Sequence, residues 1–552
     1  MSNANDVPMM FRATVNGRCQ LQYIDRDRDT ESRIEKWVSE WTSEVAPKAP
    51  NLSQQKAENN SAYFKTEKYQ IAWRFVSNSG ADPTIILPVI GARGYPYYPG
   101  SSMKGAFRQA CNQLFPDRVA YYCGEQKDQS PGILRFHGGY PTSKAWTENL
   151  IDLAHPQQEW QVKTLDTSVK EGGAFVQISL HKPELRFGIS SAIALTESKW
   201  QEIWQVWQAA LSNGIGCRVC AGYGKPTVQP TTPLYKVLLQ GQGIASTLLD
   251  KTPEFRANIF RAALRGHALR IFGGLTDKNT AELLVEQLFG GIHSRTVWGL
   301  LNMGFRETRS FAWEPYGYYE MPYYTVQGEL TWLLTRSIGA EKEAALKKLI
   351  THLMQFAMLL GGFGKSWRRA DHREFYYEDY EKLIGCHWRY LEASSKTKTD
   401  VRRLDQVKLV IDDVRQVASE WMQVQGVITN GEQIADWRET WHPSRVQVWG
   451  RDAEDDSDSQ AIEWFHEPYI KPERRGDPRF RIREQSIKNS SITGQIKQIN
   501  QIGRIWHRMY PVGTKPKPPF LELLTIFPDG SSTWQQFEAF LKTKPEGFKH
   551  LW

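Results

Sequence analysis

At 552 residues the chain is too long for one hydrophobic core, and its 21 Trp, 22 Tyr and 24 Phe supply apolar material for more than one. A net charge of +8 permits an acidic partner such as nucleic acid without requiring one, because where cations cluster matters more than their sum. Six cysteines are too few for a disulfide framework, no leader-like segment opens the chain, and no apolar run approaches the roughly 20 residues that cross a bilayer, which together predict a cytoplasmic protein and no membrane partner.

In chain order, residues 8 to 24 alternate as a strand does, and residues 29 to 45 carry Ile34, Trp37, Val38 and Trp41 at helical spacing. The polar, proline-broken stretch 46 to 62 reads as a linker. A strand follows over 69 to 76, where Ile71, Trp73 and Phe75 alternate, and then a long connection containing Asp82. It leads to Tyr98-Pro-Gly-Ser-Ser-Met-Lys-Gly-Ala-Phe-Arg108. Here Pro99 and Gly100 make a turn, Ser101 or Ser102 is suited to cap the next helix, and Lys104 and Arg108 share one helical face. A helix start beside two cations suits a phosphate; alone, the same residues would equally make a capped surface helix.

Short strands are predicted at 133 to 136 and 175 to 180, and a helix over 192 to 211 bears Trp200, Trp204 and Trp207. Next comes Asn213-Gly-Ile-Gly-Cys-Arg-Val-Cys-Ala-Gly-Tyr-Gly-Lys-Pro226, in which Gly214, Gly216, Gly222 and Gly224 let backbone approach a polyanion between Arg218 and Lys225. Pro226 stands where a P-loop needs a hydroxyl, so this is no P-loop. Cys217 and Cys220 form a C-x-x-C with no second pair, too few ligands for structural zinc.

The order then recurs. A strand over 235 to 241 precedes a helix over 255 to 272 with Arg256, Arg261, Arg265 and Arg270, further helices at 279 to 289 and 340 to 360, and strands near 298 to 303 and 324 to 335. A second glycine-rich basic stretch holds Gly361, Gly362, Gly364, Lys365, Arg368 and Arg369. Two units of one plan predict an α+β protein with two tandem RRM-like (ferredoxin-like) domains of β-α-β-β-α-β order. The expected divisions are an N-terminal strand, helix and linker (1–62), a first domain (63–234), the first part of a second (235–390), an inserted helical segment (391–440) and the second domain's remainder (441–552). In that last part Arg504, His507 and Arg508 flank Trp506, a mixture suited to stacking on bases or to a wet helix face.

The turn at 98–108 resembles the I-P-G-S-S-x-K-G-x-x-R signature of the RAMP superfamily, the repeat-associated proteins that form the backbone of type III CRISPR effector complexes. The segments 213–226 and 360–369 are similar to that family's glycine-rich basic loop, and Arg256 to Arg270 followed by Leu288-Phe-Gly-Gly291 resembles a variant that keeps an arginine-rich helix without the turn. The resemblance implies a backbone or end-capping subunit of a type III, III-D-like, effector ribonucleoprotein, with two fused domains and an insertion. Its partners would be CRISPR RNA, target RNA, other RAMP subunits and the large polymerase-like subunit. Guide phosphates would be gripped by Ser101, Ser102, Lys104 and Arg108, by both glycine segments, and by Arg256, Arg261, Arg265, Arg504 and Arg508. Asp82, 17 residues before Pro99, stands about where the family's cleaving subunits carry an aspartate, so the resemblance implies target-RNA cleavage there with Mg2+; Asp250 holds a loosely analogous place in the second unit. The alternative is a metal-free endoribonuclease that processes CRISPR precursors with a base drawn from His137, His155, His181 and His507.

Overall fold

A computed structural model describes residues 28–45, 61–82, 85–91, 94–125, 130–154, 175–227, 232–247, 252–292, 296–316, 320–363, 386–391, 401–427, 433–455, 457–470, 485–495, 501–513 and 518–552. The strand expected at 8–24 lies outside them. The leading helix α1 (Arg28–Val45) rests its Trp37 and Trp41 on the core of the first unit, with Trp41 donating its indole N–H to the Gly94 carbonyl at 2.8 Å. No helix among the described residues is long and apolar enough to cross a membrane.

The first sheet has β1 (Phe64–Gln70) at its edge, β2 (Leu134–Pro141) at the other edge and β3 (Glu184–Ser191) between them, all antiparallel. Beyond β1 the sheet gains a short fourth segment from the end of the glycine-rich stretch. Ile71 bridges Pro226, Gly224 N–H donates to the Arg74 carbonyl at 2.7 Å, and Thr227 N–H donates to that of Gln70 at 2.9 Å. Two helices, α2 (Gly100–Leu114) and α3 (Glu197–Ser212), cover one face. Their apolar stripes, Met103, Phe107 and Cys111 on α2 with Trp200, Trp204 and Trp207 on α3, meet Leu185, Phe187 and Ile189 of β3 in one core. The other face stays open, because the alternate residues Lys68, Arg135, His137 and Tyr140 are exposed. A smaller sheet beside it joins the strands Asn78–Asp82, Ile85–Pro88, Phe175–Ile178 and Ile151–Ala154.

The second sheet comprises β4 (Tyr235–Ile244), β5 (Leu301–Tyr316), β6 (Met321–Leu334) and β7 (Cys386–Tyr390) in the spatial order β5-β6-β4-β7, antiparallel throughout. The connections carry α4 (Asn258–Gly273), α5 (Lys278–Phe289) and α6 (Ala340–Phe356). Strict alternation of buried and partly exposed residues along β4 shows that this sheet too has one covered and one open face. The charged helix α7 (Asp405–Val424) packs on α6 and α4, and its Val407, Ile411, Val414, Trp421 and Met422 belong to the same core as the second sheet.

Residues 441–552, which the sequence reading joins to the second domain, hold a sheet of their own. It contains β8 (Gln447–Ala453), β9 (Ile505–Pro511), β10 (Phe520–Ile526) and β11 (Lys549–His550), ordered β9-β10-β8-β11, with α8 (Gln460–His466) and α9 (Ser532–Lys542) in the connections. The strand order repeats that of the second sheet. Both faces of β9 and β10 are buried: Ile505, Leu524 and Ile526 face α8 and α9, while Trp506, Tyr510, Leu521 and Leu523 join the core of the second unit. The wet helix face expected around Trp506 is therefore a fully buried strand.

Candidate nucleic-acid interface

The turn before α2 is fastened to the first sheet. Tyr98 and Gly139 exchange backbone hydrogen bonds of 2.8 and 2.9 Å, and the backbones of Gly100 and of Gly138 in the β2 bulge pass so close that side chains cannot fit. A Cβ on Gly100 would lie 2.0 Å from the Phe136 carbonyl oxygen, and one on Gly138, whose φ is +83°, 2.2 Å from that of Tyr98. Neither serine caps the helix. Pro99 occupies the N-cap position with extended backbone and no side-chain cap bond, so Ser101 and Ser102 fall inside the first turn, where both are exposed. Lys104, one turn on, is exposed as well, whereas Arg108 is half-buried and donates to the Gly124 carbonyl at 3.0 Å.

The glycine-rich segment at 213–227 is a packed structural joint. A Cβ on Gly216 would meet the Val76 carbonyl oxygen at 2.2 Å, and one on Gly224 would meet that of Ile215 at 1.9 Å. Gly214 and Gly222 also take positive φ, and Arg218 is half-buried in the left-handed region at φ 58°. Lys225 is buried, with its ammonium donating to the carbonyls of Ser212 and Asn213 at 3.3 and 2.8 Å, and burial pushes its pKa down to about 7. It ties the loop to the end of α3.

The arginines expected on the second unit's helix turn inward in the same way. Arg256 pairs with Asp152 at 2.8 Å and with Glu254 at 3.3 Å, and Arg74 pairs with Glu254 at 2.6 Å; all four are buried between the first and second units. Burial alone would raise the Asp152 pKa, but the charges of Arg256 and Arg74 outweigh it and hold the carboxyl below its ordinary value. Arg261 donates to the Phe289 carbonyl, and Arg265, half-buried, is pushed down to about 10 by burial and by neighbouring Arg261. Arg504 is buried 3.8 Å from Asp529. Arg508, buried too, donates to the carbonyls of Met358 and Trp388 at 3.0 and 2.7 Å. Gly361 and Gly362 pack on α4, where His267 Nε2 lies 3.1 Å from the Gly362 carbonyl oxygen.

Gly364, Lys365, Arg368, Arg369, His155 and Asp250 lie outside the described residues. Asp82 closes the strand Asn78–Asp82 opposite Ile85, and its side chain is not among what the structure describes. The three other histidines weighed as bases lie on separate strands, His181 on Leu180–His181, which pairs with Arg74–Phe75. His137 is exposed on β2 with Ser190 Oγ at 2.8 Å, His507 is buried against Glu522 at 3.1 Å, and burial, with Arg74 and Lys182 adding, pushes His181 down to about 4. No group of three or more His, Cys, Asp or Glu side chains that could hold a metal ion occurs among the described residues.

The structure also exposes charges that motif reading passed over. Lys236 of β4 and Arg306 of β5, both largely exposed, converge on Glu329 of β6 at 2.6 and 3.4 Å. These residues border a cleft of about 300 Å³ between the second sheet's open face and the first unit's Trp73 and Pro226. The signal was present as Thr325, Gln327, Glu329 and Thr331 at every second position of β6, facing Lys236, Gln240 and Gln242 of β4, the mark of an uncovered sheet face.

No family model matches the chain, and no curated protein does. Among solved structures it is similar to a chain of the type III-B Cmr-beta complex bound to cognate target RNA, with 19% identity and a TM-score of 0.23 over 30% of this chain and 58% of that one. It is also similar to Cmr6 of Pyrococcus furiosus, with 15% identity and a TM-score of 0.20 over 31% of this chain and 98% of that one. The chain thus spans little more than half the length of the first structure. With TM-scores below 0.5, neither likeness bears on what this chain binds.

Proposed function

We propose that the chain grips the sugar-phosphate backbone of an RNA strand as a backbone or end-capping subunit of a type III CRISPR effector complex, with CRISPR RNA, target RNA and neighbouring RAMP subunits as partners. The observation that carries this reading is the Pro99–Gly100 turn. It is welded to β2 by two glycine contacts, and it presents an uncapped helix start with Ser101, Ser102 and Lys104 exposed. Unpaired N–H groups and two hydroxyls in the first turn, with an ammonium one turn on, bind phosphate oxygens without reading bases. The strand orders support RRM-like units: the second and third sheets share one β-α-β-β-α-β pairing order, and the first matches it once 224–227 is counted as its fourth strand.

The test is Ser102→Glu. An acidic residue in the first turn favours the helix itself, so thermal unfolding should stay level or rise slightly, while the added charge repels phosphate and lowers affinity for single-stranded RNA by about tenfold. Wild-type affinity should fall steeply with salt. Unchanged RNA binding in the variant would show that the turn is only a helix start. Cleavage is read separately: in the assembled complex, Asp82→Ala should abolish the ladder of target-RNA products, and an unchanged ladder removes Asp82 from that role.

A further inference from the structure

We infer that the cleft between the first and second units holds one unpaired base of the bound strand, which deepens the RNA-binding function proposed above and rests on it. The cleft's volume of about 300 Å³ stands at the lower end of small-ligand pockets, room for a single nucleotide and not for a duplex. Trp73 and Pro226 supply an apolar wall on the first unit. Facing them are side chains of the second sheet's open face, Lys236 and Thr331 directly opposite each other on β4 and β6, and Arg306 opposite Glu329 on β5 and β6.

The chemistry is graded across the cleft. Lys236 and Arg306 share the one carboxylate of Glu329, which leaves a net positive charge at a largely exposed rim, where a strand's phosphates would lie. Trp73 is held still. Its indole N–H donates to Glu254 at 3.1 Å, Glu254 is held by Arg74 and Arg256, and the ring packs on Tyr223 at 4.6 Å. A fixed aromatic wall binds a base without an ordering penalty in the protein. Glu329 retains lone pairs beyond those its two cations use, so it can accept from an exocyclic amino group, which cytosine, adenine and guanine carry and uracil lacks. The buried ion network at this junction thus orients the wall, and the rim takes the backbone.

The experiment uses the full chain and labelled single-stranded RNA, with affinity read by anisotropy across salt. Oligonucleotides carrying one abasic residue, moved position by position, should include a position that binds about tenfold more weakly, and uridine there should bind more weakly than cytidine. Thr331→Trp, which fills the cleft from a strand position, should reproduce that loss with the salt slope unchanged and should bind intact and abasic strands alike. Should this variant unfold, Lys236→Gln with Arg306→Gln, both at largely exposed positions, replaces it; it should weaken RNA and flatten the salt slope. Strand affinity indifferent to every abasic position and to these variants overturns the inference while leaving phosphate gripping intact. Competition by millimolar CMP with no abasic effect would make the cleft a site for free nucleotides and overturn it equally. A wild-type chain without salt-dependent RNA affinity instead refutes the function on which the inference rests.

Discussion

The two junctions between the three larger units are built differently, although each buries charge, the second through the Arg270–Glu439 pair and Arg508. Between the first and second units lie four buried charges, Arg74, Asp152, Glu254 and Arg256, together with an open cleft and the partly exposed ion pair of Lys182 and Glu307 at 3.2 Å. Between the second and third lie stacked aromatic rings: Trp441 stacks on Trp506 at 5.7 Å and on Trp552 at 5.9 Å, Phe356 meets Trp441 edge-on at 4.7 Å, and Arg270 sits 4.7 Å over Trp506. The same pairing order of strands therefore serves two ends. A sheet whose outer residues alternate to polar keeps an open face, and a sheet apolar or fully paired on both faces becomes the filling of a sandwich.

The largest effect should come from the sandwich. Trp506→Ala removes an indole packed among Trp441, Phe527 and Arg270, and should destabilise the second and third units together by about 5 kcal/mol, the upper end for a buried Trp because a cation–π contact goes with it. Denaturant unfolding should show one transition moving to lower midpoint. Two separated transitions, with only the later part of the chain affected, would mean that the two units do not share a core.

At the polar junction Asp152→Asn keeps the shape and removes one of the two negative charges, leaving Arg256 and Arg74 under-compensated in the interior. The expected loss is about 4 kcal/mol. The comparison sharpens if RNA is measured alongside, since a loosened junction should reduce strand affinity as well as stability. A variant as stable as wild type would show that the network is not needed to join the units.

A somewhat smaller effect is set by pH inside the third unit. Glu522 is buried and accepts from Ser459 at 2.7 Å, Arg451 at 2.7 Å and the Ala461 N–H at 2.9 Å, besides its contact with His507. Burial pushes its pKa up, but the hydrogen bond and charge of His507 and the charge of Arg451 outweigh this and hold it at about 2, against an ordinary 4.5. The unfolded chain then binds the proton more readily, so the stabilisation is full above pH 4.5 and drains as pH falls toward 2, a loss of about 3 kcal/mol across that window. Stability measured against pH for wild type and Glu522→Gln should differ in slope between pH 4.5 and 2, and parallel curves would remove the assignment.

Much of the mixed α+β fold could be read from local pattern. The helices with periodic Trp and Leu, the alternating β4 and the turn at Pro99–Gly100 all announce themselves within a dozen residues. The strand read over 69 to 76 is displaced: β1 runs over Phe64–Gln70 without alternating in burial, and beyond it Arg74–Phe75 pairs separately, with Leu180–His181. What pattern could not supply was which way a cation points. Lys225 and Arg508 sit among glycines and aromatics much as phosphate-binding residues do, yet their partners are the end of α3 and the carbonyls of Met358 and Trp388, the last two more than a hundred residues from Arg508 in sequence. The third sheet escaped for the same reason. His507 and Arg508 make β9 look wet until Glu522 and Met358 are brought against it, and a strand buried on both faces loses the period that would betray it.

The finest contrast therefore sets one lysine against another. Lys104→Ala removes an exposed ammonium from the first turns of α2, so unfolding should not move, while RNA affinity should fall several-fold and the salt slope should shrink by roughly 0.7, the share of one phosphate contact on a single strand. Lys225→Met keeps the buried bulk and deletes the hydrogen bonds that tie the glycine-rich segment to α3, so stability should fall by about 2 kcal/mol with the salt slope intact. If the two results came out exchanged, the buried lysine would be the one that meets the strand, and the loop would have to open before RNA could bind.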